Sequence, residues 1–295
     1  MNEYIDTFWR STTGYFDWFV GQLTLRTSDG LWGNYFYLLI ILSIIFFGLE
    51  LVKPWRKDQP KFRNDFWLDC FYMFFNFFLF SIVAFAGMTQ IGVQLLTDFL
   101  GLFGIENLVA IEVGGLPAWL QLVLLFVIKD FIEWLIHRLL HWSPWLWEFH
   151  KVHHSVKQMG FAAHLRFHWM ENVVYKSLEY IPLALIGFSL TDFFLAHAVA
   201  IAIGHWNHAN FNMNIGPLKY IINNPAMHIW HHAKELPDSR KYGVNFGLSL
   251  SIWDYLFGTN YIPSTGRDIE LGFPEDDKFP KNFIDQNLSG FAAKK

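Results

Sequence analysis

Trp119–His141 reads WLQLVLLFVIKDFIEWLIHRLLH, and this stretch decides the fold. As a helix rising ~1.5 Å per residue it is long enough to cross ~30 Å of hydrocarbon. Pro117, just ahead of it, suits the first turn of a helix. The far end carries His137 and His141 in HRLLH, four residues apart and therefore on one face. The segment is thus read as a membrane crossing that delivers two imidazoles to one side of a bilayer.

Working outward, residues 33–52 (GNYFYLLIILSIIFFGLELV) form a nearly uncharged stretch with Glu50 near its end, where the acid can reach the interface. Pro54 ends that helix, and Lys53, Arg56, Lys57, Lys61 and Arg63 follow. The positive-inside rule makes this cluster cytosolic and sets the N-terminus outside. Phe66 to Gly87 crosses back. Residues 88–116, with Asp98, Glu106 and Glu112, read as an outer loop with peripheral helices. Residues 173–204 are apolar again. Divided at Gly187–Ser189, they give two arms too short for full spans, so a tilted helical hairpin is expected. From His205 onward the chain is polar and rich in Pro, Gly and Asn, a cap with Trp253, Tyr255 and Phe257 free to lie on the membrane or the hairpin. The expected fold is all-α: a polytopic membrane helix bundle with a cytosolic, histidine-rich helical cap holding a di-metal centre. Residues 1–116 form an N-terminal membrane region with two spans. Residues 117–295 form the catalytic domain.

Composition agrees with that class. Of 295 residues, 53% are hydrophobic and only 16% charged, well below the roughly 25% of an ordinary soluble domain. A net charge of −4 and no long basic run give nucleic acid nothing to bind. A single cysteine, Cys70, leaves no disulfide and no thiolate metal site. The first thirty residues mix charges with aromatics and show no cleavable signal. The 14 tryptophans and 32 phenylalanines suit bilayer packing; the 13 histidines need another reason.

Eight of them fall in three patterns: HRLLH with His137 and His141, HKVHH with His150, His153 and His154, and HIWHH with His228, His231 and His232. In a helical HxxHH the first imidazole sits beside the other two, and the adjacent pair points about 100° apart, toward two different metals. Burying so many imidazoles without a partner would be costly, and neutral imidazole suits iron, zinc and copper. His208, in HWNHAN at the end of the hairpin, is a further candidate ligand, as is His168 in LRFHWME. His205 either ligates or flanks, His164 is expected beside the ligands or at the surface, and His197 is expected to be packed. Glu133, one turn before His137, is a candidate to orient an imidazole, and Asp130 lies a turn earlier. Phe161, Phe167, Trp169, Trp206 and Phe211 flank the ligands and are candidates to line a substrate pocket.

From Asp130 to Pro263 the chain resembles the fatty acid hydroxylase/sterol desaturase superfamily. The resemblance rests on HRLLH, PWLWEFHKVHHS, RFHWME, HANF before IGPL, NPAMHIWHH and SIWDYLFGTNY. It implies two iron ions held by His137, His141, His150, His153, His154, His228, His231 and His232, with His208 and His168 as further ligands; zinc is an alternative occupant. His168–Trp169 stands where the family has His–Pro. The spacing around GPL and NxP is similar to the alkylglycerol monooxygenase branch, though no motif fixes it. The implied chemistry is O₂-dependent removal of hydrogen from a lipid C–H bond, giving an alcohol or an alkene. The lipid is a fatty acyl, sterol or ether lipid entering from the bilayer. Electrons come from a separate donor of cytochrome b5, ferredoxin or reductase type, because no dinucleotide fingerprint or iron–sulfur cysteine is present. The expected location is multi-pass, with the active site on the cytosolic face of a bacterial inner membrane or the endoplasmic reticulum.

Two other classes compete. A di-zinc lipid hydrolase would activate water, but such sites often include a carboxylate or thiolate and the three boxes offer none. A metal-binding or transport protein would string ligands across the bilayer, whereas these boxes gather at one end.

Overall fold

The computed structural model describes residues 2–26, 33–82, 86–105, 109–186, 188 and 190–291. The described residues contain no strand, only two isolated bridges, Ile222 with Leu250 and Ala233 with Leu271. Among the described residues eleven α-helices run in chain order. They are α1 Asn2–Leu23, α2 Tyr35–Val52, α3 Phe66–Phe74, α4 Ala86–Gly101, α5 Ala118–Trp142 and α6 Pro144–His154, then α7 Trp169–Ala184, α8 Leu190–His208, α9 Pro225–His231, α10 Ile252–Leu256 and α11 Phe283–Ser289. A π-helical turn, Phe75–Leu79, continues α3. The expected division points Gly187 and Ser189, residues 83–85 of the second expected crossing, and Glu106 lie outside the described residues.

Among the described residues α2 alone is long and apolar enough to cross a membrane by length and composition; Phe66–Leu79 is a shorter apolar helix. Asn34 caps α2 by accepting a hydrogen bond from the Tyr37 amide at 3.0 Å. Helix α5 has 25 residues, and Lys129 and Asp130 in its middle are buried inside the protein. It packs against α6, α7 and α8.

Helix α1 is the unexpected element. Its mixture of charges and aromatics resolves into a helix that lies along α4. Tyr4 donates to Asp98 at 2.7 Å and Thr7 to Gln94 at 2.8 Å. Phe19 of α1 joins Tyr35, Leu39 and Phe78 in a core that also holds Leu165 and Ile201.

Two polar residues expected at a membrane surface, Glu50 and Arg63, are structural instead. Glu50 accepts the amide hydrogens of Phe161 and Asn210, each at 2.8 Å, so it ties the end of α2 to the segments before and after the hairpin. Arg63, counted in the basic cluster, is buried and paired with Asp69. Arg166 bonds the same Asp69 at 3.0 Å, Asp65 at 2.9 Å and Ser155 Oγ at 2.8 Å. A buried guanidinium needs such partners, and the network fixes the 155–166 loop beneath α6.

The C-terminal segment folds back on α5. Trp253 packs on Phe131, and Phe257 on Trp134 and Phe131. Asp130 accepts from the Ser249 amide at 2.9 Å and from Trp253 Nε1 at 2.8 Å. Asp254, fully buried, accepts from Trp134 Nε1, the amides of Phe246 and Gly247, and Thr259 Oγ1. Asn245, at φ 54°, bonds the Met227 carbonyl and so joins this loop to α9. Each neutral donor left unsatisfied inside a protein costs about 1–3 kcal/mol. Asp254→Ala is therefore expected to destabilise the fold by at least ~3 kcal/mol. Thermal unfolding in detergent should show a midpoint several degrees lower; a midpoint within ~1 °C of the parent would refute the staple.

Candidate metal centre

Local sequence aims the histidines. Ser143 breaks α5 from α6, its hydroxyl accepting from the Leu146 amide, with Pro144 in the first turn. The resulting elbow sets HRLLH against HKVHH. Asn224 and Pro225 start α9 in the same way, which orients HIWHH toward both.

Nine histidines come together in two neighbouring groups. One contains His137, His141, His150, His154 and His231; the other contains His153, His208, His228 and His232. Within each group the nitrogens available to a metal all lie within 4.8 Å of one another. The groups adjoin: the rings of His154 and His232 stack at 4.5 Å. As the HxxHH geometry suggests, the adjacent residues His153 and His154 divide between the two groups, and so do His231 and His232.

The outer ring nitrogens explain the orientation. Nδ1–H of His137 donates to the Phe246 carbonyl at 2.8 Å, and that of His231 to Val244 at 2.8 Å. His153 donates to the Arg166 carbonyl at 3.0 Å and His208 to Gly204 at 2.8 Å. His150 donates to Glu171 Oε2 at 2.9 Å. In a neutral imidazole a protonated Nδ1 leaves Nε2 as a bare acceptor. Where both rings are so fixed, bare acceptors face each other, His137 to His150 at 3.2 Å and His208 to His153 at 3.4 Å; Nε2 of His154 lies 3.1 Å from that of His231, and Nε2 of His228 3.0 Å from that of His208. Lone pairs at such separations repel unless a cation lies among them. Nδ1 of His228 and of His232 is buried without a hydrogen-bond partner, which is costly unless the ring has another ligand. An all-nitrogen donor set of this kind fits iron or zinc.

Two candidates fall outside the groups. His168 has both ring nitrogens engaged: Nε2 donates to the Asn287 carbonyl at 2.8 Å, and Nδ1 accepts from the Met170 amide at 3.0 Å. It is a packing residue against Phe149 and Phe291, not a metal-facing one. Glu133 does not reach an imidazole, because Lys129, one turn earlier, takes its carboxylate. The acid that does orient a ring is Glu171, which the sequence reading passed over. Its only signal was an acid at the entrance to the apolar hairpin.

The remaining histidines flank the site. His205 contacts His164, Nδ1 to Nδ1, at 3.0 Å and Ser43 Oγ at 3.4 Å. A Cβ on Gly204 would fall 2.1 Å from His164 Nε2, so this crossing needs glycine. His197 stacks between Tyr35 and Phe77. A cavity of about 350 Å³ opens on His137, His150, His153, His208 and His228 and extends past Leu165 and Phe167 toward Tyr35 and Phe77. Of the expected lining aromatics, Phe167 is there. Phe161, Trp206 and Phe211 instead form a separate core with Phe66, and Trp169 packs on Phe80 and Phe291.

Burial, reinforced by neighbouring imidazoles, holds His150, His154, His228, His231 and His232 well below the ordinary histidine range, and His153 is pushed down to about 3. An unfolded imidazole titrates near 6.5. Between those values the unfolded chain binds more protons, so stability is complete above ~6.5 and declines as pH falls. Metal-stripped protein is expected to melt at a lower temperature at about pH 5.5 than at about pH 7.5. A midpoint that does not move would mean the rings are not held neutral.

A family model described as fatty acid hydroxylase matches residues 122–259, a stretch containing all nine clustered histidines. The chain is similar to the ornithine lipid hydroxylase OlsE of Rhizobium tropici, 31% identical over 280 residues that make up 90% of this chain and 77% of that one. Alkylglycerol monooxygenase of Homo sapiens is 31% identical over 138 residues, 45% of this chain and 29% of its own. Methylsterol monooxygenase 1-1 of Arabidopsis thaliana is 27% identical over 144 residues, 48% and 46%. The chain thus spans less than half the length of the latter two. No solved structure matches.

Proposed function

The chain belongs to the fatty acid hydroxylase/sterol desaturase superfamily, and on that premise we propose that it is a multi-pass membrane oxygenase that hydroxylates a C–H bond of a lipid. It is an oxidoreductase acting on lipids. In our reading His137, His141, His150, His154 and His231 hold one iron and His153, His208, His228 and His232 a second. The observation that carries this is the set of Nδ1–H groups committed to carbonyls, which leaves bare Nε2 atoms face to face. Hydroxylation is preferred over desaturation because three relatives of this chain are named hydroxylase or monooxygenase. An ornithine-type lipid is the preferred substrate, since that relative aligns with 90% of the chain.

Bound iron would supply the O₂-dependent oxidising power that removes hydrogen from an unactivated C–H bond. The chain supplies the setting. The cavity brings a substrate carbon beside the rings of His137, His150, His153, His208 and His228, and its burial among packed helices excludes water from a reactive site. Glu171 fixes the ring plane of His150 through the Nδ1–H bond, a contact of the kind that orients metal-facing imidazoles. Leu165 and Phe167 give the cavity an apolar flank for a chain.

The same reading places α2, the Phe66–Leu79 helix, α5 and the α7–α8 hairpin in the membrane, with residues 205–295 as a cap. The exposed Lys53, Lys57 and Lys61 mark the cytosolic side of a bacterial inner membrane or endoplasmic reticulum. Residues 117–295 form the catalytic unit, and a separate electron donor docks on the cap.

The test uses membranes from cells that make the protein, given labelled O₂ and lipids followed by mass spectrometry. A lipid gaining one labelled oxygen atom is expected, with that product absent in His153→Ala even though the variant remains in the membrane. Full turnover in His153→Ala, or lipid cleavage without O₂ uptake, would overturn the proposal.

A further inference from the structure

Part of the cavity wall is unusual for a lipid-binding space. Glu171, Tyr175 and Glu179 line it from α7, four residues apart and so on one helical face. Glu133 lines it from α5, the helix packed against α7. Ionisable groups buried at this depth mark function more often than packing.

The charges there are unevenly matched. Lys129 pairs with Glu133 and lies 4.0 Å from Glu179 Oε1. Lys176 lies 3.7 Å from Glu179 Oε2, with a side chain 42% exposed. Glu171 accepts from the imidazole of His150. Three carboxylates therefore share two lysines, one of them turned partly outward. Glu171 Oε1 and Glu179 Oε2 are buried with no hydrogen-bond partner, and so is Nδ2 of the adjoining Asn172. Glu171 and Glu179 are each 3% exposed. An apolar chain laid against this wall would leave those oxygens without a hydrogen bond, and an anionic end would be repelled. A primary ammonium or a guanidinium satisfies both their charge and their hydrogen-bonding capacity.

We propose that the carboxylate wall of Glu133, Glu171 and Glu179 is a subsite for the cationic headgroup of an amine-bearing lipid, which it selects over lipids of the same chain length that lack the cation. The proposal rests on the lipid-oxygenase reading above and adds the basis of its selectivity. The headgroup then lies along α5 and α7, and the chain along Leu165 and Phe167.

The full-length, metal-loaded protein in phosphatidylcholine nanodiscs is offered equal amounts of ornithine lipid and the same lipid acetylated on its free amine. Native mass spectrometry counts which is retained. The parent is expected to prefer the free amine by about tenfold or more. Glu179→Gln and Glu133→Gln should each bring the ratio toward one while still retaining the acetylated lipid. Equal retention by the parent, a comparison that needs no variant, overturns the proposal, as does an unchanged ratio in both variants. Labelled-oxygen turnover of the same proteins, measured in cell membranes that supply the electron donor, separates the two readings. Oxidation with equal retention removes the headgroup subsite alone, whereas preferential retention without oxidation removes the oxygenase reading alone.

Discussion

Nine imidazoles packed within contact of one another cannot all carry a proton on the inward nitrogen, and the structure is organised around that constraint. Four backbone carbonyls and one carboxylate hold the outward Nδ1–H groups of five of them, so the inward Nε2 atoms of those five are left as acceptors. Each such hydrogen bond is modest in water, yet in a dry interior it decides the tautomer. The centre is consequently built as much from loop backbone as from side chains. The Val244 and Phe246 carbonyls must stay where they are, which is the task of Asp130, Asp254 and Asn245. The Arg166 carbonyl must stay as well, and the Arg166 side chain secures it through Asp65 and Asp69.

This dependence explains what could be read from the chain alone. HRLLH, HKVHH and HIWHH were legible because helical spacing converts a three- or four-residue interval into a shared face. His208 was legible from its place at the end of the hairpin. Glu133 misled for the same reason: spacing put it on the face of His137 but could not show that Lys129 claims its carboxylate. His168 looked like its neighbours in type, and only the approach of the Asn287 carbonyl from the far C-terminus reveals its engagement. Glu171, Asp130 and Asp254 act across 21 to 120 residues of sequence, distances at which local pattern carries no information. Helix α1 escaped notice because charges interrupt its apolar face and its polar contacts, Tyr4 with Asp98 and Thr7 with Gln94, lie 94 and 87 residues away on α4.

The apolar framework and the polar cavity wall serve one purpose from opposite sides. Phe19, Tyr35, Phe78 and their neighbours close the far end, while the acids of α5 and α7 keep one wall hydrophilic. A site that must admit a greasy molecule and still hold it in one orientation needs both surfaces, because dispersion and burial alone are non-directional.

Two adjoining cation sites among the clustered imidazoles should hold two ions in each chain. Anaerobic titration of metal-free protein with Fe(II), followed by calorimetry and elemental analysis after gel filtration, measures this directly. Two ions retained per chain is the predicted result, falling to one when His228 and His232 are both replaced by alanine. Retention of a single ion by the intact chain, or of none, would contradict it.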